Sequence, residues 1–242
     1  MELKVIGTGS SGNAYLLENE EEALLIECGV RFSDIKAALN FNLNKLVGCI
    51  VTHEHGDHAK SIKDLMAYGV DVYATEGTHR ACGTYSSHKA RILVDTNFII
   101  GNFKVKPFDV LHDAAEPCGF LINHLETGNI LFMTDLIYSP YTFKNLNNII
   151  IEANYDDAIA KRKMKNMEFL RNRVINNHMS LSTCRKFLFD NDLSAVNNIV
   201  LIHLSDGNSD ERMFRELVSK DTGKNVTVAD NGLVIEFNKT PF

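Results

Sequence analysis

Ile50-Val51-Thr52-His53-Glu54-His55-Gly56-Asp57-His58, written IVTHEHGDH, sets three histidines and two carboxylates in six residues straight after a short apolar run. The run predicts a buried strand. In extended chain residues i and i+2 point the same way, so the imidazoles of His53 and His55 can reach one metal ion. Asp57 and His58 come one turn later, where the chain enters a helix, and can face a second ion nearby. Imidazole plus carboxylate is a ligand set for zinc, with manganese or iron as alternatives. A solvated polar loop explains single histidines, but not four ligand-type residues in six positions.

Upstream, residues 3–6, 14–17 and 23–28 are short apolar runs separated by Gly, Ser, Asn or acidic residues, and read as strands of a meander. Ser33 is the expected N-cap of a helix through IKAAL. Ile62, Leu65 and Met66, at i, i+3, i+4, predict a helix after the histidine cluster. Further strands are expected at 49–52, 70–74, 91–94, 98–100, 103–108, 119–122, 130–133, 149–152, 198–203, 226–229 and 233–237. Helices are expected at 157–174, 181–189 and 210–219. No repeat or linker divides the chain, so one domain over residues 1–242 is expected.

The 242 residues suffice for a sizeable core. A net charge of −6 gives no global footprint for nucleic acid, although a local basic track is compatible with it. Five dispersed cysteines without C-x-x-C spacing fit reduced thiols. No apolar run approaches a membrane span. With no apolar signal core at the N-terminus, a cytoplasmic protein without membrane contact is expected. The sequence does not fix the oligomeric state and leaves a homodimer open.

HEHGDH resembles the H-x-H-x-D-H signature of the metallo-β-lactamase superfamily. GTGSSGN (residues 7–13), HDAAEPCGF (112–120), IIIEANYD (149–156), NHMS (177–180) and HLSDGN (203–208) narrow the resemblance to the YycJ-like branch, near ribonuclease Z. It implies an α/β fold of four layers, two mixed β-sheets packed face to face with helices outside both. It also implies two divalent metal ions, zinc foremost and manganese as the alternative. His53, His55 and His112 would serve one ion, Asp57, His58 and His203 the other, with Asp135 bridging. Asp57 would also orient the nucleophile. Two such ions lie roughly 3.5–4 Å apart and activate water for attack on an ester, lactone or phosphoester. His178 is the expected catalytic group that assists the leaving group.

Two residues depart from the branch pattern. Glu27 stands in LLIECG where branch members usually carry Asp, and Tyr155 where they tend to carry His. Ser180 reads as a helix cap rather than a nucleophile. GTGSSGN reads as a tight turn rather than a phosphate cradle. Ser10, Ser11, Asn13, Asn154 and Ser180 are the candidate substrate contacts at the rim. His79 and His88, beside Arg80, Tyr85, Lys89 and Arg91, read as a solvated surface or a groove lining.

Lys161, Arg162, Lys163, Lys165, Arg171 and Arg173 crowd the approach to His178. They fit either a polyanion track or the outer face of an amphipathic helix with Met164, Met167 and residues 170–174 buried. The resemblance and this segment favour a metal-dependent phosphodiesterase acting on nucleic acid, a DNA exonuclease. A phosphodiesterase for cyclic nucleotides of phage anti-defence type and a lactone or thioester hydrolase are the alternatives.

Overall fold

The computed structural model describes residues 1–165 and 167–240. Its first sheet begins with β1 (Glu2–Gly7), β2 (Ala14–Glu18) and β3 (Ala23–Ile26), an antiparallel meander. β4 (Leu46–Ile50), β5 (Val72–Ala74) and β6 (Ala90–Ile92) extend it in parallel. The second sheet opens with antiparallel β7 (Phe98–Ile100), β8 (Phe103–Asp109), β9 (Cys118–His124) and β10 (Gly128–Met133). Parallel strands β11 (Leu146–Glu152), β12 (Asn198–Ile202) and β13 (Asn225–Val228) follow. The last strand, β14 (Val234–Glu236), returns to the first sheet beside β1.

Period-two patterning explains why the sheets stack. Tyr15 and Leu17 of β2 face the core between the sheets and meet Phe103, Phe120 and Phe132 of the second sheet. Ala14 and Leu16 face outward under α1 (Phe32–Ala38) and the helix Ile62–Ala67. Leu131, Ile149 and Leu201 face outward under α7 (Leu181–Phe189) and α8 (Glu211–Thr222). Helices thus cover both outer faces, and the four-layer α/β sandwich is as expected. No helix among the described residues is long and apolar enough to cross a membrane.

Local details differ from expectation. Arg31, not Ser33, precedes α1, and the Ser33 hydroxyl bonds Asp34 instead. A short α2 (Gly56–Ala59) follows the histidine cluster directly, ahead of α3 (Ile62–Ala67). The sequence also conceals α4 (Glu76–Ala81), which lacks apolar periodicity and starts from a Thr75 cap. The helix expected over 157–174 is two helices, α5 (Asp157–Lys163) and α6 (Glu168–Asn177). Met164 closes α5 by packing against Tyr155 and Ala160. Met167 is exposed rather than buried, and the side chain of Leu170 lies outside the described set.

Candidate metal centre

Each sheet delivers its donors at one edge of the sandwich. β4 ends at Ile50, and the loop after it carries His53 and His55 before α2 presents Asp57 and His58. Beneath this loop the chain packs backbone against backbone. Asn13 N–H donates to Asp57 O at 2.7 Å, and Cys28 N–H donates to His58 O at 2.8 Å. A Cβ on Gly29 would stand 1.7 Å from Asp57 O, so only glycine fits there. GTGSSGN is therefore a turn that supports the metal loop.

His112 follows β8, Asp135 follows β10 and His203 follows β12. Three residues around the cluster adopt left-handed backbone without being glycine: Glu27, just after β3, at φ 64°, Asp135 at 49° and His203 at 55°. Such conformations cost free energy and persist where the surroundings over-determine them. Here they swing side chains off the strand axis into one cluster.

The donor atoms converge in three overlapping groups that share Asp135, one of them formed with Glu152, His178 and His203. The two that match the expected ligand set are His53, His55, His112 and Asp135, and Asp57, His58, Asp135 and His203, each with its ligand atoms within 4.8 Å of one another. His55 Nδ1 lies 3.1 Å from His53 Nε2 and 3.2 Å from His112 Nε2. Asp135 Oδ2 lies 3.8 Å from His53 Nε2, 3.7 Å from His112 Nε2 and 3.4 Å from His58 Nε2. Asp57 Oδ2 lies 3.5 Å from His203 Nε2. Two ligands about 2.1 Å from one ion at tetrahedral angles stand about 3.4 Å apart, so the spacing fits shared coordination.

Outer partners set the ring tautomers. Asn177 O accepts from His112 Nδ1–H at 3.1 Å, which leaves Nε2 as the donor atom. Thr52 Oγ1 engages His53 Nδ1 at 2.8 Å. Glu27 is fully buried, takes Thr52 N–H on Oε1 at 3.1 Å and holds Oε2 3.5 Å from His58 Nδ1. The longer carboxylate at this position thus reaches the histidine. His203 Nε2 is buried and lacks a hydrogen-bond partner among the described residues, which is the orphaned nitrogen a cation would satisfy.

The charge pattern agrees. Burial and neighbouring imidazoles hold His53 below its usual range, so it presents the lone pair a metal needs. Against burial, Asp135 and the carboxylates around them push His58 and His203 upward. The carboxylates of the second group therefore favour positive charge among them, which protons supply in the free protein and a divalent ion could supply in their place. The residues fit a metal centre.

Glu152, which closes the expected strand 149–152 within IIIEANYD, is not among the expected site residues. It is fully buried, and its Oε1 accepts from His178 Nδ1–H at 2.7 Å and faces His203 Nδ1 at 3.2 Å. Its Oε2 accepts Leu136 N–H at 3.2 Å and Met179 N–H at 3.1 Å. Burial alone would raise this carboxyl, but the charge and hydrogen bonds of His178 and His203 win and hold it low. The signal available in the sequence was an acid closing an apolar run, at the strand end where open sheets carry function.

His178 caps α6 and stacks on His203, with ring centroids 5.2 Å apart. The expected substrate contacts fare differently. Ser10 and Ser11 are exposed, and no contact ties them to the cluster among the described residues. Asn13 spends its amide on Gly9, Asp57 and His58. Asn154 Nδ2 donates to His203 O at 2.7 Å, and Ser180 caps α7. These three brace the site. Tyr155 is buried, and burial pushes its phenol up to about 12, so it stays protonated and uncharged near neutral pH. His79 is neither solvated nor part of a groove: it is buried and bonds Thr84 Oγ1 at 2.9 Å.

The sequence description of the metallo-beta-lactamase superfamily matches residues 7–172, about two-thirds of the chain. The chain belongs to the metallo-β-lactamase superfamily. It is a hydrolase of that superfamily, as its ligand set implied. It is 28% identical over 238 residues to exodeoxyribonuclease YycJ of Bacillus anthracis, covering 91% of this chain and 88% of that one. It is 26% identical over 250 residues to exodeoxyribonuclease WalJ of Streptococcus pneumoniae serotype 2, strain D39, covering 96% and 91%. The resemblance to the YycJ-like branch is thereby borne out. Among solved structures, the metallo-β-lactamase-fold protein YhfI of Bacillus subtilis superposes with a TM-score of 0.73 at 17% identity, covering 97% of this chain and 99% of that one. That last likeness concerns the fold alone.

Proposed function

We propose that this chain is a metal-dependent phosphodiesterase that acts on nucleic acid as a DNA exonuclease, in a cytoplasmic setting. The observation that carries this reading is the Glu152–His178 pair standing beside the seven donor residues. His53, His55, His112 and Asp135 would hold one divalent ion, and Asp57, His58, Asp135 and His203 a second, zinc or manganese. When bound, such a pair supplies Lewis acidity and lowers the pKa of water toward neutrality.

The chain's own residues do the rest. Asp57, half-open to solvent and beside His58 and His203, orients the attacking water. Cleavage of a phosphodiester expels an alkoxide, which needs a proton. His178 holds that proton, since Glu152 keeps the ring oriented and, against the effect of burial, raises its affinity for a proton. A thioester or lactone gives the exposed cations of residues 161–173 no purpose, which is why the phosphodiester is preferred. The names of the YycJ and WalJ relatives support the same reading.

The test is turnover by metal-reconstituted protein, and by a His178→Ala variant, on end-labelled linear DNA and on cyclic mononucleotides. Progressive metal-dependent trimming of DNA, lost with His178, is the expected result. Cleavage of cyclic nucleotides with DNA left intact would overturn it.

A further inference from the structure

Residues 157–177 leave the fold and return to the point of departure. Tyr155 and Ser180 pair as an isolated parallel bridge, Leu181 N–H donates to Tyr155 O at 2.8 Å, and Asn154 N–H donates to Met179 O at 2.9 Å. This closed stem stands on the candidate metal centre. Its outgoing side follows Glu152, and its returning side ends in Asn177, which holds His112, and His178, which binds Glu152.

The excursion itself is unlike the rest of the surface. Six cations, Lys161, Arg162, Lys163, Lys165, Arg171 and Arg173, stand against the acids Asp157 and Glu168 in a chain of net charge −6. None of the six side chains has an ion-pair or hydrogen-bond partner among the described residues, and no other stretch of thirteen residues in the sequence gathers six cations. Alongside these cations Phe169 is 86% exposed and Met167 56%. Self-repelling charges next to an uncovered aromatic ring are costly to leave bare and serve no packing role.

We propose that the α5–α6 excursion is a docking arm for a single strand of nucleic acid, with the phosphates on its cations and a base stacked on Phe169. The choice of ligand rests on the nuclease reading. Backbone phosphates answer unpaired Lys and Arg, and a base answers an exposed aromatic face in a way any sequence satisfies. Phe169 lies nine residues before His178, about 13 Å along the helix axis. A strand held there reaches the metal centre after about four nucleotides at the roughly 3.4 Å spacing of a helical strand. The arm therefore tightens the binding of longer strands: mononucleotides and dinucleotides cannot span it and reach the centre without its help.

The experiment compares wild type, Phe169→Ala and a fourfold variant, Lys161→Gln, Lys163→Gln, Arg171→Gln and Arg173→Gln, all metal-reconstituted. Fluorescence anisotropy follows binding of a phosphorothioate oligothymidylate of about twelve nucleotides, within the usual range of strand site sizes. Phe169→Ala should weaken binding about tenfold. The fourfold variant should flatten the slope of log affinity against log salt by about three, at ~0.7 per cation. Turnover of bis(p-nitrophenyl) phosphate, too small to touch the arm, should stay unchanged.

Unaltered oligonucleotide affinity and salt slope in both variants would overturn the arm, as would a wild type that does not bind the strand. Sedimentation velocity showing a wild-type dimer that Phe169→Ala splits, with strand affinity unaltered, would overturn it in favour of a contact between copies. Arm-dependent binding without hydrolysis of any phosphodiester would uphold the arm and remove the nuclease reading. Hydrolysis with arm-independent binding would do the reverse.

Discussion

Glu152 Oε1 accepts the Nδ1 proton of His178 across 2.7 Å, and the accepting carboxylate has no exposure to solvent. This bond decides what His178→Ala and Glu152→Gln should do. General acid catalysis is worth about 10²–10⁴-fold. Both variants should lose activity in that range on an unactivated dinucleotide, whose alkoxide needs a proton. On bis(p-nitrophenyl) phosphate, whose leaving group departs unassisted, both should lose far less. Steady-state kcat on the two substrates checks this. Equal losses on both would show that the pair builds the site and does not supply the proton.

Metal removal should be visible without any substrate. A ligand that binds only the folded state stabilises it by about 3–4 kcal/mol at 100–1,000 times its Kd. Chelated protein should unfold several degrees earlier, and zinc or manganese should restore the midpoint. An Asp135→Asn variant should show little restoration, because its carboxylate serves both donor groups. Differential scanning fluorimetry reads the effect, and identical midpoints for chelated and reconstituted wild type would exclude the centre.

Glu27→Gln should keep the fold and weaken the ion. The carboxylate that faces His58 Nδ1 at 3.5 Å becomes a neutral amide. Loss of such an outer partner costs about 10–100-fold in metal affinity or activity. Competition with a chromophoric chelator measures the affinity, and an unchanged value would remove Glu27 from the support of His58.

Gly29→Ala should be among the most damaging substitutions that touch no donor. Its Cβ would collide with the backbone carbonyl of Asp57, which no rotamer change relieves. A loss of over about 2 kcal/mol in urea unfolding, in the upper half of the common range of about 0.5–3 kcal/mol, is expected. Wild-type stability in this variant would contradict the close approach.

Acid sensitivity should appear far from the centre. Glu18 lies 2.7 Å from both Lys4 Nζ and Lys45 Nζ. Burial pushes its carboxyl up, but the two ammoniums outweigh burial and hold it below its usual range. A depressed folded value means the contribution is complete above the unfolded value of about 4.3 and is lost as pH falls through the folded one. Glu18→Gln should therefore lower stability by no more than about 1 kcal/mol at pH 7, and by progressively less toward pH 3. A constant difference across that range would show that charge is not its origin.

The strands and the histidine motif were legible because they are local patterns. Alternation in 14–17 and the apolar run before His53 need only neighbouring residues to be read. Glu152 was not legible as a partner of His203, because the parallel register of β11 on β12 sets it opposite Ile202. That pairing belongs to the sheet, not to either segment. The left-handed turns at Glu27, Asp135 and His203 were hidden for a related reason: none is a glycine, so nothing local announces them. α4 escaped because EGTHRA has no apolar spacing, and the break after α5 because tertiary packing of Met164 overrides an otherwise continuous helical pattern.

The hydrogen bond from His112 to Asn177 O joins a candidate metal ligand to the last residue of α6. Linkage between two such sites is reciprocal. Whatever steadies α6 would then raise the basicity of His112 toward an ion, and an ion on His112 would in turn steady the root of α6. If a strand binds the arm and an ion binds His112 as proposed, their cooperativity runs through one carbonyl oxygen, with equal factors in both directions.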